Sequence, residues 1–271
     1  GHGSAVNAGI RAAAGRYFRV VDGDDRVYPR EFRSFVRKLQ GLDCDAVVTR
    51  FAIARRGRRG KVVRSSYPLR LEYGRSYPFR RICGHAGRHA YFRMHELTIR
   101  TALLREHSIR IREHSFYVDM EYSLYPVPWL RTICMLPECV YRYQTGGAGQ
   151  SVSPESMRRN AAQHEAVLND LLTFYRAEEQ KGTPKEILRY LAGAIARMHA
   201  NQIRIELGRP TGARSRSRLR ALEHRIRREY PQVYRRMPKV SVWLLRLSGY
   251  TLYPAACLLL RLRERTYRKD V

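Results

Sequence analysis

The stretch "RYFRVVDGDDRVYPREF", residues 16–32, sets Asp22, Asp24 and Asp25 directly after an apolar run, in a chain with 52 Lys+Arg against 24 Asp+Glu. Carboxylates crowded this closely repel one another unless a cation or a bound proton relieves them. At the C-terminal end of a strand they stand where open α/β sheets bind ligands, in the crevice beyond the strand ends. There they can hold a hard divalent cation, and the cation can neutralise a diphosphate. The competing reading is that Asp24 or Asp25 caps a helix opening near Pro29, a common use of a short polar side chain. One cap needs one aspartate, and the cluster has three, so a metal seat accounts for the pattern better.

The elements that must position this cluster read as an α/β alternation. Residues 5–14, "AVNAGIRAAA", predict a helix stopped at Gly15, and "YFRVV" predicts a buried strand. Pro29 and Glu31 open a helix expected to carry Phe32, Phe35, Val36 and Leu39 on one face. "DAVVTRFAIA" predicts a second strand, the turn "RRGRRGK" follows, and Val62–Val63 begin a return run. Residues 65–100 read as loops and short strands. "TALLREHSIRI" then predicts a helix and a strand, and it is followed by a helix near Asp119, a strand "RTICML" and the Gly-rich "YQTGGAGQSVS".

From Pro154 onward the period is helical. Met157, Ala161, Val167, Leu168, Leu171, Leu172 and Tyr175 mark one amphipathic helix region, and Ile187, Leu188, Leu191, Ile195, Met198 and Ile203 mark another. "GRPTGARSRSR" reads as a basic linker, and "LRALEHRIRREY" as a short arginine-rich helix. The last apolar segment, "VSVWLLRLSGYTLYPAACLLLRLRER", is broken by Arg246 and Pro254. Two domains are expected: an α/β part over residues 1–153 and a helical region over residues 154–271.

A net charge of +28 makes a polyanion the first partner to consider, whether nucleic acid, an acidic membrane face or a phosphate-rich substrate. The five cysteines are odd in number and lack CxxC spacing, which argues against a disulfide framework or a zinc site and for a reducing, cytosolic setting. No signal peptide is expected from the first residues, "GHGSAVNAGIRAAAGRYF". "GHGSAVNAG" lacks the lysine and the preceding strand of a phosphate loop. His85 and His89 stand four apart with a glycine between them and no third ligand nearby. The arginine runs carry no nucleic-acid recognition motif and no interleaved aromatics, so no specific nucleic acid is expected. The C-terminal apolar segment is interrupted before the ~18 uncharged residues a span needs. It suits either a helix lying at an anionic membrane surface or a helix packed into a C-terminal subdomain.

Three stretches together resemble family 2 glycosyltransferases. "NAGIRAAAGRYFRVVDGDD" is similar to the family's N-x-G-I helix leading through a strand into a D-x-D motif. "MHELTIRTALLREHSIRIREHSFYVDMEYSLYP" resembles its acceptor-side segment ending in an acidic motif. "YRYQTGGAGQSVS" looks like the post-catalytic loop of the subgroup that builds bacterial surface polysaccharides. The three cover residues 1–170 in the family's order.

The resemblance implies a GT-A fold, here N-terminally incomplete, followed by a helical region. It also implies a nucleotide-diphosphate sugar donor such as a UDP-sugar, Mn²⁺ or Mg²⁺, and transfer with inversion to a glycan or lipid-linked acceptor. Asp22 would lie near the donor ribose, and Asp24, with Asp25, near the metal. Asp119 would be the base that takes the acceptor proton. The family often has Glu-Asp at that position; here Val118 precedes Asp119, and Glu121 is the alternative base. His2 and Asn7 would lie beside the donor, and His95 near a donor phosphate or the acceptor. Gln150, Ser151 and Ser153 stand in a loop able to close over the donor. Family members begin with a further strand, helix and strand, so roughly 60 to 90 residues are expected upstream of Gly1. The enzyme is expected at the cytoplasmic membrane face. The rival expectation is a non-catalytic basic module for nucleic acid or anionic membrane, its aspartates serving only as caps.

Overall fold

A computed structural model of the chain describes residues 1–55, 63–64, 71–85, 91–145, 150–151, 153–209 and 212–269. The first helix, α1 (His2–Ala12), buries Val6, Asn7 and Ile10 and gives way at Ala13 to extended backbone, before Gly15 is reached. Of the expected strand "YFRVV", only β1 (Tyr17–Phe18) joins a ladder; Val20 is buried and Val21 is exposed. After β2 (Arg26–Val27), Pro29 sets the first turn of α2 (Pro29–Gln40). The expected apolar face of α2 is only partly used: Phe35 is buried and Leu39 packs at the core margin, while Phe32 and Val36 are exposed. The sheet edge beneath this helix ends in the two-residue β2 and offers little surface to cover them.

The chain continues through β3 (Ala46–Arg55), β4 (Val63–Arg64), β5 (Ser76–Pro78), α3 (Phe79–His85), β6 (Leu97–Arg100), α4 (Thr101–Glu106), α5 (Asp119–Leu124) and β7 (Thr132–Thr145). The sheet order is β1-β6-β3-β7-β2, with β4 paired to β3 and β5 to β7. β3 and β7 run parallel, Val47 opposite Cys134, and the other pairs are antiparallel. Central β3 is buried through Ala46, Val47, Val48, Phe51 and Ala52, which is why it reads as an almost unbroken apolar run. Below α2, Phe35 packs with Cys44, Val47, Cys134, Leu136 and Val140.

Two expectations for the middle of the chain are corrected. Phe79, Ile82 and Cys83, at helical spacing and buried, form α3 in a stretch expected to hold only loops and strands. The strand expected at "SIRI" does not form. Instead the Asn7 side chain takes the place of a neighbouring strand: Ile111 N–H donates to Asn7 Oδ1 at 2.9 Å and Asn7 Nδ2 donates to Ile111 O at 2.8 Å. The turn "RRGRRGK", His89, the side chain of His85 and residues 146–149 of the Gly-rich loop lie outside the described residues.

The chain divides into two units, residues 1–87, 91–148 and 184–187, and residues 88–90, 149–183 and 188–271. The second is built of helices: α6 (Pro154–Arg159), α7 (Ala161–Gln180), most of α8 (Lys185–Leu207), α9 (Ala213–Glu229), α10 (Pro231–Arg235), α11 (Val240–Leu247) and α12 (Tyr253–Lys269). Ser153 caps α6, its hydroxyl accepting from Ser156 N–H at 3.2 Å. The expected linker "ARSRSR" is helical, part of α9, because Leu219, Leu222 and Ile226 recur with a helical period and are buried. Among the described residues no helix is long and apolar enough to cross a membrane.

Candidate active site

A tight turn brings two of the three aspartates together: Asp25 N–H donates to the Asp22 carbonyl at 3.1 Å, and Asp24 between them is exposed. Tyr141 of β7 then fixes the pair. Its hydroxyl donates to Asp25 Oδ2 at 2.5 Å and reaches Asp22 Oδ2 at 3.4 Å, while Asp22 N–H donates to the phenolic oxygen at 3.3 Å. Gln144 N–H adds a bond to Asp25 Oδ1 at 2.7 Å.

His95 completes the group. Its ring stands 4.9 Å from that of Tyr141, 4.6 Å from that of Tyr143 and 5.4 Å from that of Phe51. Tyr141 and Tyr143, two apart on β7, present one face to it. The backbone beneath is held by Arg19, which donates to the His95 carbonyl and also to Thr49 Oγ1 at 3.1 Å and Thr98 Oγ1 at 3.0 Å. One ligand atom from each of Asp22, Asp25 and His95 lies within 4.8 Å of the others. Two carboxylates and an imidazole fit Mn²⁺, and fit all-oxygen Mg²⁺ less well. The set differs from the sequence expectation by including Asp22 and His95 and leaving Asp24 outside.

Asp119 opens α5, where Met120, Tyr122 and Leu124 are buried, as is Val118 just before the helix. The loop before it places three non-glycine residues in the left-handed region, Ser108 at φ 49°, His114 at φ 54° and Tyr117 at φ 68°. Such strain costs of order 1–3 kcal/mol per residue and persists only where the surroundings impose it. The Tyr122 ring, 6.3 Å from that of Phe18, packs α5 beside β1 and so near the aspartate turn.

The charges act on one another. His2 Nδ1 is 3.1 Å from Asp22 Oδ1, and this hydrogen bond raises the His2 pKa despite burial. Burial pushes Asp22 upward, but the His2 hydrogen bond and charge outweigh it and leave the carboxyl below its usual range. Burial raises Asp25, and the charges of Asp24 and Asp22 add to the shift. Asp119 is raised, first by burial and then by Asp22, with His2 opposing. Burial lowers His95 to about 4, keeping its imidazole neutral and able to ligate. Tyr143 is pushed up to about 12 by burial and by Asp25, Asp119, Asp22 and Asp24. The carboxylates, His2, His95 and Tyr143 therefore share one electrostatic neighbourhood, with carboxyl pKa values driven apart.

Two other expected residues, Asn7 and Glu121, hold the loop that leads to Asp119. Asn7 is buried, its amide engaged by Ile111 and by Glu113 Oε1 at 3.0 Å, which ties α1 to the strained loop. Glu121 is fully buried and accepts Arg112 N–H at 2.6 Å, an anchor for the same loop. Gln150 and Ser151 belong to the helical unit. Sequence reasoning missed Tyr141, Tyr143 and Arg19. The alternation "YRY" at 141–143 was the available signal for the tyrosines; an arginine inside "YFRVV" signalled only a polar partner below the strand.

Residues 1–99 match the family model described as glycosyl transferase family 2. None of the curated proteins compared matches the chain. Among solved structures, the crystal structure of S. aureus TarS 1–349 in complex with UDP is similar over 100% of this chain and 72% of that one, at 15% identity and a TM-score of 0.55. The crystal structure of S. aureus TarS 1–349 also matches, over 100% and 72% of the two chains, at 15% identity and a TM-score of 0.52. The fold is thus like that of TarS 1–349, mixed α/β with a helical C-terminal region, and the first 99 residues are similar to glycosyl transferase family 2.

Proposed function

We propose that this chain, whose residues 1–99 match family 2 glycosyltransferases, moves a sugar from a UDP-sugar to a glycan or lipid-linked acceptor with inversion at the anomeric carbon. The observation that carries the reading is the convergence of Asp22, Asp25 and His95 within 4.8 Å, in the same electrostatic neighbourhood as Asp119. The similarity to a UDP-bound TarS favours uridine as the base.

Asp119 is the proposed base. Its raised pKa makes it a stronger proton acceptor than an exposed carboxylate, so it can take the acceptor hydroxyl's proton as that oxygen attacks the sugar. Glu121 is spent on the Arg112 backbone, which favours Asp119 over the alternative. Asp22, Asp25 and His95 would hold Mn²⁺, with Asp24 at the solvent side. Such an ion, when bound, stabilises the charge that develops on the leaving diphosphate. Exposed Arg93, with its guanidinium 5.3 Å from the Phe51 ring centre beside His95, is suited to pair with the same phosphates. Residues 1–153 would form the catalytic domain and residues 154–271 a helical domain, and the enzyme would work at the cytoplasmic face of a membrane in polysaccharide synthesis.

Calorimetric titration of UDP with and without Mn²⁺ tests the donor site. Binding is expected to need the ion and to be lost in Asp25→Asn. Metal-independent binding that survives both Asp22→Asn and Asp25→Asn would reject the proposed seat. Asp119→Asn is expected to bind UDP normally while turnover falls by about 100-fold or more, and NMR of the product's anomeric configuration reads inversion directly.

A further inference from the structure

Helices α11 and α12 are apolar on two faces. Inward, Val242 and Leu245 of α11 and Tyr253 and Cys257 of α12 join a core with Ala200, Ile203, Leu219 and Met237. Outward, Val240, Leu244 and Leu247 recur at i, i+4 and i+7 and are 74%, 55% and 81% exposed. Leu252, between the helices, is 49% exposed, and Leu258 and Leu259 of α12 are 58% and 66% exposed. A surface helix whose core face is already filled ordinarily turns polar residues to water, so a second apolar face points to something that covers it.

Among the described residues, the exposed charges of this segment are basic. Arg246, which interrupts the apolar run in the sequence, is turned inward: its side chain is 4% exposed and donates to Glu223 Oε2 at 2.6 Å and to the Tyr234 carbonyl at 2.9 Å. Among the described side chains of this stretch, Lys239 before α11 and Arg261 and Arg263 on α12 are exposed. Among the described residues of α11 and α12 the one carboxylate, Glu264, is bound by Arg158 at 2.7 Å. The leucines are therefore bordered by positive charge that a neighbouring anion can meet.

We infer that the outer face of α11 and α12 docks on an anionic lipid bilayer, the leucines entering the headgroup and acyl boundary and Lys239, Arg261 and Arg263 meeting lipid phosphates. Amphipathic helices with basic flanks bind in this way without spanning, and no described helix is long and apolar enough to span. A second copy of the chain fits the face poorly, because pairing would bring together two molecules of charge +28 with the same basic flanks. The inference gives a surface to the membrane element of the proposed function and rests on that element, not on the transfer chemistry.

Co-flotation of the full chain with vesicles of phosphatidylcholine alone, and of phosphatidylcholine with phosphatidylglycerol, provides the test. Strong binding is expected only to the anionic vesicles, weakening as salt is raised. Leu244→Glu with Leu259→Glu, both exposed and tolerable to the fold, is expected to weaken it by tenfold or more. Arg261→Gln with Arg263→Gln is expected to weaken it by about fivefold per charge removed. Wild-type binding by the leucine variant would overturn the inference, as would leucine-dependent dimers in sedimentation velocity from a chain that ignores vesicles. Asp119→Asn should float like wild type, and the leucine variant should bind UDP like wild type. Loss of UDP binding with flotation intact would count against the transferase reading alone.

Discussion

The Tyr141 hydroxyl donates to Asp25, 116 positions earlier in the chain, at 2.5 Å. One phenol thereby ties the carboxylate turn to the long central strand β7 and holds Asp25 in place under a burial that raises its pKa. Tyr141→Phe removes the donor and leaves a buried carboxylate with one partner fewer, which should cost about 1–3 kcal/mol. Urea denaturation measures the loss, and calorimetry should register weaker Mn²⁺-dependent UDP binding in the same variant. Unchanged stability together with unchanged binding would show that the turn is held by other contacts.

The His2–Asp22 pair should leave a pH signature. His2 is raised above its ordinary 6.5 in the folded chain, so its contribution is complete below that pH and fades as pH climbs through the folded value. Asp22 is lowered below its ordinary 3.8, so its contribution is present above that pH and lost as pH falls through the folded value. The pair is therefore at full strength from about pH 4 to 6.5 and wanes above it. With His2 33% exposed, it should be worth less than about 1 kcal/mol. Thermal midpoints of wild type and His2→Gln should differ near pH 6 and converge toward about pH 9; curves that stay parallel would exclude the linkage.

Gly3 sits where no side chain fits. A Cβ there would stand 2.0 Å from the Arg112 carbonyl oxygen and 2.9 Å from its carbon, both backbone atoms that cannot swing aside. Gly3→Ala should push α1 off the loop that leads to Asp119, at a cost of about 1–3 kcal/mol. Because His2 precedes Gly3, UDP affinity should fall as well. A variant as stable as wild type, with full UDP affinity, would mean that the contact between α1 and Arg112 is dispensable.

Glu223 is a buried, heavily engaged carboxylate of the helical unit. It receives Arg246 Nε at 2.6 Å and the Tyr250 hydroxyl at 2.9 Å, and lies 2.7 Å from His199 Nε2. Burial alone would raise its pKa, but His199 and Arg246 bring it down to about 2. A lowered carboxyl stabilises the fold above its ordinary 4.5, and that stabilisation disappears as pH falls from there toward about 2. Glu223→Ala leaves Arg246 buried without its counter-charge, which should cost about 3–5 kcal/mol. Helix unfolding followed by circular dichroism reads the loss, and an acid transition that no longer shifts between pH 4.5 and 2 identifies the group responsible.

Much of the fold was legible because local patterns and tertiary structure agreed. "AVVTRFAIA" reads as a buried strand and forms the centre of the sheet, and Val167, Leu168, Leu171 and Leu172 read as one helical face and line the core of the helical unit. Misreadings came where a distant group supplied what a local pattern normally supplies. Asn7 replaced a strand partner for Ile111, and buried Leu219 and Ile226 kept "ARSRSR" helical against its charge. The site followed the same division.

By itself, the sequence determined that three carboxylates follow an apolar run, that a further acidic motif lies about a hundred residues on, and that the chain is strongly basic. These are statements about residue type and local order, and period and spacing carry them. Tertiary structure decided that Asp22 and Asp25, not Asp24, face His95, that Glu121 is spent on a backbone amide, and that Arg246 turns inward and leaves leucines outside. Each of those outcomes depends on a partner scores of residues away or on which side of an element meets the core. Only chain packing fixes such pairings, because burial makes an unpartnered polar group expensive and selects the one arrangement that satisfies it.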